Sequence, residues 1–168
     1  MLKLIKETDP ILKQRAEDWD FGLDSNADQL EDEMIDIMIA NNGIGLAANQ
    51  VGLLKRVFVI KLDNGRRLGM FNPRLIKSSE EIQIAEEGCL SFPDLFLDIP
   101  RPQQIDVAFL DKNAQECTMT LSGITARCFL HELDHLNGIC FTDNISVLKL
   151  AMARKRQNKI RNSNGRTK

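Results

Sequence analysis

Histidine is scarce in this chain: two of 168 residues. There is no long apolar run, and the opening stretch, Met1-Leu2-Lys3-Leu4-Ile5-Lys6-Glu7, has no small-residue cleavage site. These absences argue against a secretion signal and against a membrane-spanning helix. Cysteine is present, as Cys89, Cys117, Cys128 and Cys140, but no two of them form a CxxC pair. A disulfide framework is therefore not expected, and the composition fits a reducing, cytoplasmic compartment. Acidic residues are missing from one end. Lys149 to Lys168 holds eight of the 22 basic residues and none of the 24 acidic ones, so a net charge of −2 hides an acidic body and a basic tail. Such a split suggests a tail that meets a polyanion while the body does chemistry.

What is present is concentrated. Both histidines fall in His131-Glu132-Leu133-Asp134-His135. Two imidazoles four residues apart on a helix project from one face about a turn from each other, so they can converge on one metal ion. The glutamate between them lies close enough to handle a proton on an activated water. The plain alternative is a core helix with two hydrogen-bonded histidines. Because a chain with so little histidine places all of it here, the metal reading is preferred. Asp134 is tempting as a second base, but the 100° step per residue turns it away, and pairing with an arginine or capping a loop is the expected role.

A catalytic site of this kind usually has a third protein ligand and leaves one position for water. No Glu or His follows His135, and the one acidic residue downstream is Asp143. The third ligand is therefore Asp143 or a residue upstream. The upstream candidate is Cys89, in Glu87-Gly88-Cys89-Leu90-Ser91, where Gly88 permits close backbone approach.

Three stretches, Gly43-Ile44-Gly45-Leu46-Ala47-Ala48-Asn49-Gln50, Glu87-Gly88-Cys89-Leu90-Ser91 and His131-Glu132-Leu133-Asp134-His135, resemble in order and separation the signature motifs of peptide deformylases. The resemblance runs from the N-terminus to about residue 150. It implies a hydrolase of protein biosynthesis and N-terminal processing that removes the formyl group from N-formylmethionyl nascent peptides as formate. It implies a metal held by Cys89, His131 and His135, with iron(II) expected and zinc, nickel and cobalt accepted by the same donors. Glu132 would act as the proton carrier. The Gln50 amide and the Leu90 backbone N–H would donate to the oxyanion. The peptide would lie extended beside Ile44-Gly45, with its methionine side chain near Cys128 and His131. The basic C-terminal segment would bind the ribosome, in which case its removal should leave activity on a formyl-Met dipeptide intact. Three positions depart from the pattern: Asn49 where Thr or Pro is common, Phe96 where many bacterial members have Arg, and Arg127 at a usually apolar place. They are expected at the outer subsites and the pocket's edge, away from the metal chemistry. Two rivals remain: an HExxH endopeptidase using Asp143, which would tolerate loss of Cys89, and a binding module whose metal is purely structural and fully enclosed by protein ligands.

The length suits one domain over residues 1–168, long enough to bury about two-thirds of its unfolded surface. Asp9-Pro10 starts a short helical turn. Leu30, Met34, Ile37, Met38 and Ala40 follow a helical period from Asn26 to Asn41, with Asn26 as cap and Asn42-Gly43 as stop. Gly43 to Gly52 has too many glycines for a helix interior, and on its own would be a helix cap and tight connector. Gln50, a polar amide in an apolar stretch, needs a partner there. Arg56 to Asp63 reads as a strand turning at Asp63-Asn64-Gly65-Arg66 into Arg67 to Phe71, with Pro73 ending that strand or at its edge. Further strands are expected at Arg74 to Lys77, Ile82 to Glu86, Phe96 to Ile99, Ile105 to Leu110 and Glu116 to Leu121. Ser122 caps a helix over Gly123 to Asn137 that stops at Gly138, and a basic helix follows from Ser146 to Arg161, with the remainder disordered. The fold class is α+β: antiparallel sheets around a central HExxH helix, with a basic C-terminal helix and tail over about 146–168.

Overall fold

The computed structural model describes residues 2–165. A 3-10 turn at Pro10–Lys13 is capped by Asp9, whose carboxylate accepts from Ile11 N at 3.0 Å. Then come α1 (Ala27–Ala40), β1 (Gly45–Ala47), a 3-10 turn at Ala48–Val51, β2 (Val57–Lys61), β3 (Arg67–Ser78), β4 (Ile82–Cys89), β5 (Phe92–Pro102), β6 (Gln104–Leu110), β7 (Glu116–Ser122), α2 (Gly123–Leu136) and α3 (Val147–Gly165). The class is α+β. One sheet has the order β1-β2-β3-β6-β7, the other is the ribbon β4-β5, and every strand pair is antiparallel.

The alternation of β2 explains how the larger sheet is covered. Val57 and Val59 face one way, joining Met34 and Met38 of α1 in one core cluster with Trp19 and Phe71. Phe58 and Ile60 face the other, packing with Ala126, Phe129, Leu130 and Leu136 of α2. Phe58 and Phe129 meet edge to face at 5.2 Å between centroids. A third cluster, Leu12, Phe92, Leu95, Leu97, Ile99, Cys140, Phe141 and Ala153, joins α3 to β5 and the segment after α2.

Several expectations need correction. Asn26 precedes α1, but its backbone is left-handed (φ 68°) and its side chain makes no capping bond. The strand β1 was hidden in the glycine-rich connector, being three residues long and buried throughout. Pro73 does not end its strand: β3 continues to Ser78, with Asn72 at φ 48° and a register shift against β6 between Phe71 and Arg74. Pro73 falls in that shift, where neither it nor Asn72 has a partner in the β6 register, so the ladder tolerates its missing N–H. Ser122 precedes α2 without a side-chain capping bond. Gly138 does stop the helix region, at φ 75° in a place where a Cβ would come within 2.7 Å of Lys13 O. Finally, α3 extends through Asn162-Ser163-Asn164-Gly165, a stretch expected to be disordered; residues 166–168 lie outside the described residues. It also buries Ala153 and Gln157, so cutting it away would uncover core.

The contact of α2 with the sheet rests heavily on Phe129, which is fully buried. Phe129→Ala is expected to lower unfolding stability by about 3–5 kcal/mol in urea titration. A loss well below that range would mean that another contact holds α2 in place.

Candidate active site

Cys89 is the last residue of β4, and His131 and His135 lie a turn apart on α2. One ligand atom from each lies within 4.8 Å of the other two, with Cys89 Sγ 3.2 Å from His135 Nε2. Ligands of one tetrahedral ion, at bond lengths near 2.0–2.3 Å, stand roughly 3.5 Å apart, so the donors fit a single transition-metal ion in spacing and chemistry. Asp143 is engaged elsewhere: its carboxylate takes Lys13 Nζ at 2.5 Å and the backbone N–H of Cys140 at 2.8 Å.

Burial of these groups is made possible by Glu87, two residues before Cys89. Its Oε2 is 2.9 Å from His131 Nδ1. Arg101 reaches both of its oxygens, at 2.9 and 3.1 Å, and Arg127 reaches Oε1 at 2.8 Å. Burial alone would push the Glu87 pKa up, but the bonds from His131 and Arg101 outweigh it and bring the value down to about 2. An ionised carboxylate only accepts, so Nδ1 of His131 carries the hydrogen and Nε2 is the nitrogen left for a ligand role. Arg101 also donates to Asp134 at 2.6 Å, the arginine pairing expected for that residue.

The two imidazoles are pushed in opposite directions. For His131, burial disfavours the charge, but bonds with Cys89 and Glu87 overcome it and the pKa rises. For His135, burial and the neighbouring His131 both lower it.

Glu132 sits beside this cluster, 4% exposed, with its Oε2 buried and lacking a hydrogen-bond partner. Burial, helped by the charge of Glu87 and opposed by His131, raises its pKa to about 7. Its closeness to β1 explains Gly45: a Cβ there would stand 2.4 Å from Glu132 Oε1 and 2.6 Å from Cys128 Sγ. The Cys128 thiol points at Ile44 O (3.4 Å), and burial pushes its pKa well up. Gln50 finds the partners its burial demanded: Oε1 accepts from Ala47 N at 2.8 Å, while Nε2 faces Cys89 Sγ at 3.3 Å and Ser91 Oγ at 3.2 Å. The amide therefore lies against the thiol, and its N–H groups are taken up by Cys89 and Ser91.

A groove of about 460 Å³ opens over the cluster, with Ile44, Gly45, Leu90, Cys128, His131 and Glu132 in its wall. Of the three departures from the motif pattern, only Phe96, half exposed, lies at the rim as expected. Asn49 is fully buried behind α2, donating to His135 O at 2.6 Å. Arg127 lines the groove but directs its guanidinium at Glu87 and so reaches the partner of His131. Asn49 thus lies away from the outer subsites where it was expected, and Asn49 and Arg127 bond to the His135 carbonyl and to Glu87 rather than to Cys89 Sγ or an imidazole nitrogen. Glu87, Arg101 and Ser91 were not singled out from sequence. A buried ligand histidine needs an acceptor at its other nitrogen, and the glutamate opening Glu87-Gly88-Cys89 was the available signal.

A profile of the family described as Polypeptide deformylase matches residues 1–151. The peptide deformylase of Rhizobium meliloti (strain 1021) is 38% identical over 166 residues, covering 96% of this chain and 95% of the relative. That of Thermotoga petrophila is 39% identical over 148 residues, 88% of this chain and 89% of the relative. Among solved structures, a peptide deformylase from Synechococcus elongatus in complex with actinonin superposes with a TM-score of 0.86 at 34% identity, over 94% of this chain and 88% of that one. One from Legionella pneumophila gives 0.87 at 32% identity, over 99% and 98%. The family match and these relatives thus define a hydrolase, of the class that removes N-formyl groups from nascent peptides. The chain belongs to the polypeptide deformylase family.

The Glu132 pKa makes a pH prediction for the metal-free protein. An ordinary glutamate titrates at 4.5 and Glu132 at about 7, so the folded state holds the extra proton between these values. The stability gained from the protonated form is complete below pH 4.5 and is lost as pH rises through 7, about 3 kcal/mol for a shift of this size. Chelator-treated Glu132→Gln is expected to lack this fall and to be the more stable protein in urea at about pH 8. A fall of unchanged size in the variant would assign it to other groups.

Proposed function

We propose that residues 1–168 form one catalytic domain that acts in the cytoplasm as a metal-dependent hydrolase, cleaving the N-formyl group from the formylmethionine of new polypeptides. The observation that carries this is the meeting of Cys89, His131 and His135 beside Glu132 in the wall of a groove bordered by β1. In this reading the sheets are organised around α2, whose buried face supplies two of the three ligands. The ligand set would hold a divalent transition metal, iron(II) by family resemblance and zinc, nickel or cobalt by the same chemistry, which supplies Lewis acidity and lowers the pKa of water toward neutrality.

The chain's own groups do the rest. Glu132 takes the proton of the attacking water and passes it to the amine as the formyl C–N bond breaks, leaving formate and a free N-terminus. A carboxyl poised near neutrality suits both halves of that transfer. Gln50 and the backbone N–H of Leu90 serve the oxyanion that forms at the formyl carbon; for Gln50 this requires its amide to turn from Ser91 toward the substrate. The peptide lies along Ile44-Gly45 as an added strand at the free edge of β1, with its methionine side chain toward Cys128 and His131.

Formate release from formyl-Met-Ala-Ser tests the reading. Glu132→Gln is expected to lower kcat by on the order of 10²–10⁴ while retaining metal, and Cys89→Ala to lose both metal and activity. Full activity in Cys89→Ala would overturn the ligand set and favour Asp143.

The outer face of α3 exposes Lys149, Lys155, Arg156 and Lys159, which supports docking to a polyanionic ribosome surface. Because α3 also packs on the core, reversing charges tests this more cleanly than cutting the helix. Lys155→Glu with Lys159→Glu is expected to weaken salt-sensitive co-sedimentation with ribosomes and leave dipeptide deformylation unchanged. Salt-insensitive or undiminished co-sedimentation would refute the docking role.

A further inference from the structure

Among the described residues the ribbon β4–β5 has two strands, so each leaves one edge without a ladder partner there. Yet this ribbon ends in Cys89, which must stand at a fixed distance from two imidazoles on a different element. The register between β4 and β5 shifts at Gly88/Cys89, so the ladder alone does not carry regular pairing to the thiol. Something besides strand pairing has to fix the ribbon against α2.

Arg127 supplies that connection. It is 3% exposed, and its Nη1 donates to Ile99 O at 2.7 Å and to Glu87 Oε1 at 2.8 Å, which uses both hydrogens of that nitrogen; a longer contact of 3.4 Å to Ala85 O is shared. Its Nη2 donates to Gln83 O at 2.7 Å. One guanidinium therefore binds carbonyls of both strands of the ribbon and the carboxylate between them. Arg127 and His131 are four residues apart on α2, on the same face. They hold opposite oxygens of Glu87, Oε1 and Oε2 respectively. Glu87 is in turn two residues from Cys89. The arrangement closes a loop from helix to ribbon and back, with the thiol on one limb and the imidazole on the other.

We infer that Arg127 is a positioning residue for the Cys89–His131–His135 cluster, holding the ribbon that bears the thiol in register with the helix that bears the imidazoles. It acts through Glu87 and bonds to none of the three ligand atoms. Arg101 also bridges ribbon and helix, through Asp134 of α2, but by a different kind of bond. Arg101 lies on the ribbon itself and grips Glu87 and Asp134 by side-chain bonds, whereas Arg127 lies on the helix and binds the ribbon's backbone. A planar fork with several fixed donors is needed for this, and a lysine at the same place has one point charge and a different reach.

The inference rests on the proposed metal site, and cobalt(II) separates the two. The native apo-protein, titrated with cobalt(II), is expected to bind one equivalent and show a thiolate-to-cobalt charge-transfer band. Arg127→Met keeps the aliphatic packing and removes the fork. It is expected to weaken cobalt affinity about tenfold or more in chelator competition, to shift or broaden that band, and to lower kcat with little change in KM. Arg127→Lys, which retains the charge and serves as the second variant should the first not fold, is expected to recover only part of the affinity. Native affinity and an unchanged band in either folded variant would overturn the positioning role while leaving the metal site standing. Absence of the band in the native protein would overturn both.

Discussion

The Cys89–His131–His135 cluster is drawn from two elements distant in sequence, and the bond that ties those elements together is the carboxylate of Glu87. It is charged and almost wholly buried, which is costly unless every lone pair is used. His131, Arg101 and Arg127 use them. Removing one partner would leave the others facing an uncompensated charge, so the group behaves as a unit. The same carboxylate sets the hydrogen on His131 Nδ1 and so decides which nitrogen faces Cys89 and His135.

From this follows a division of labour among acids. Glu87, paired with cations, stays ionised, while Glu132, buried beside it without a partner for Oε2, is pushed toward neutrality. Two glutamates that interact with one imidazole thus differ by environment alone, one suited to orienting and the other to moving a proton. Gly45 belongs to the same logic, because no side chain would fit between β1 and Glu132.

The parts legible in the sequence are those where one local pattern decides the outcome. The i, i+4 spacing of the histidines and the alternation of β2 are of this kind, and so is the turn at Asp63-Asn64-Gly65-Arg66, where Gly65 adopts φ 83°. What escaped was set by distant partners. The three residues of β1 form a strand because β2 is there to receive them, and Pro73 stays within β3 because it falls at a register shift against β6. Asn49 and Arg127 stood out as unusual residues, but only the fold shows them bonded to His135 O and to Glu87. At the C-terminus, polar composition suggested disorder beyond Arg161, whereas α3 runs on to Gly165. Its inner side is fastened to β5 through Gln157 and Arg161, both donating to Pro93 O.

The proposed catalysis depends on one sulfur and two imidazole nitrogens sharing a cation. X-ray absorption at the metal edge of the loaded protein reads this directly. One sulfur near 2.3 Å and two imidazole nitrogens near 2.0–2.1 Å, with the remaining position held by a light solvent atom, is the result expected of this ligand set. A coordination sphere without sulfur, or one closed by four protein ligands, would contradict it.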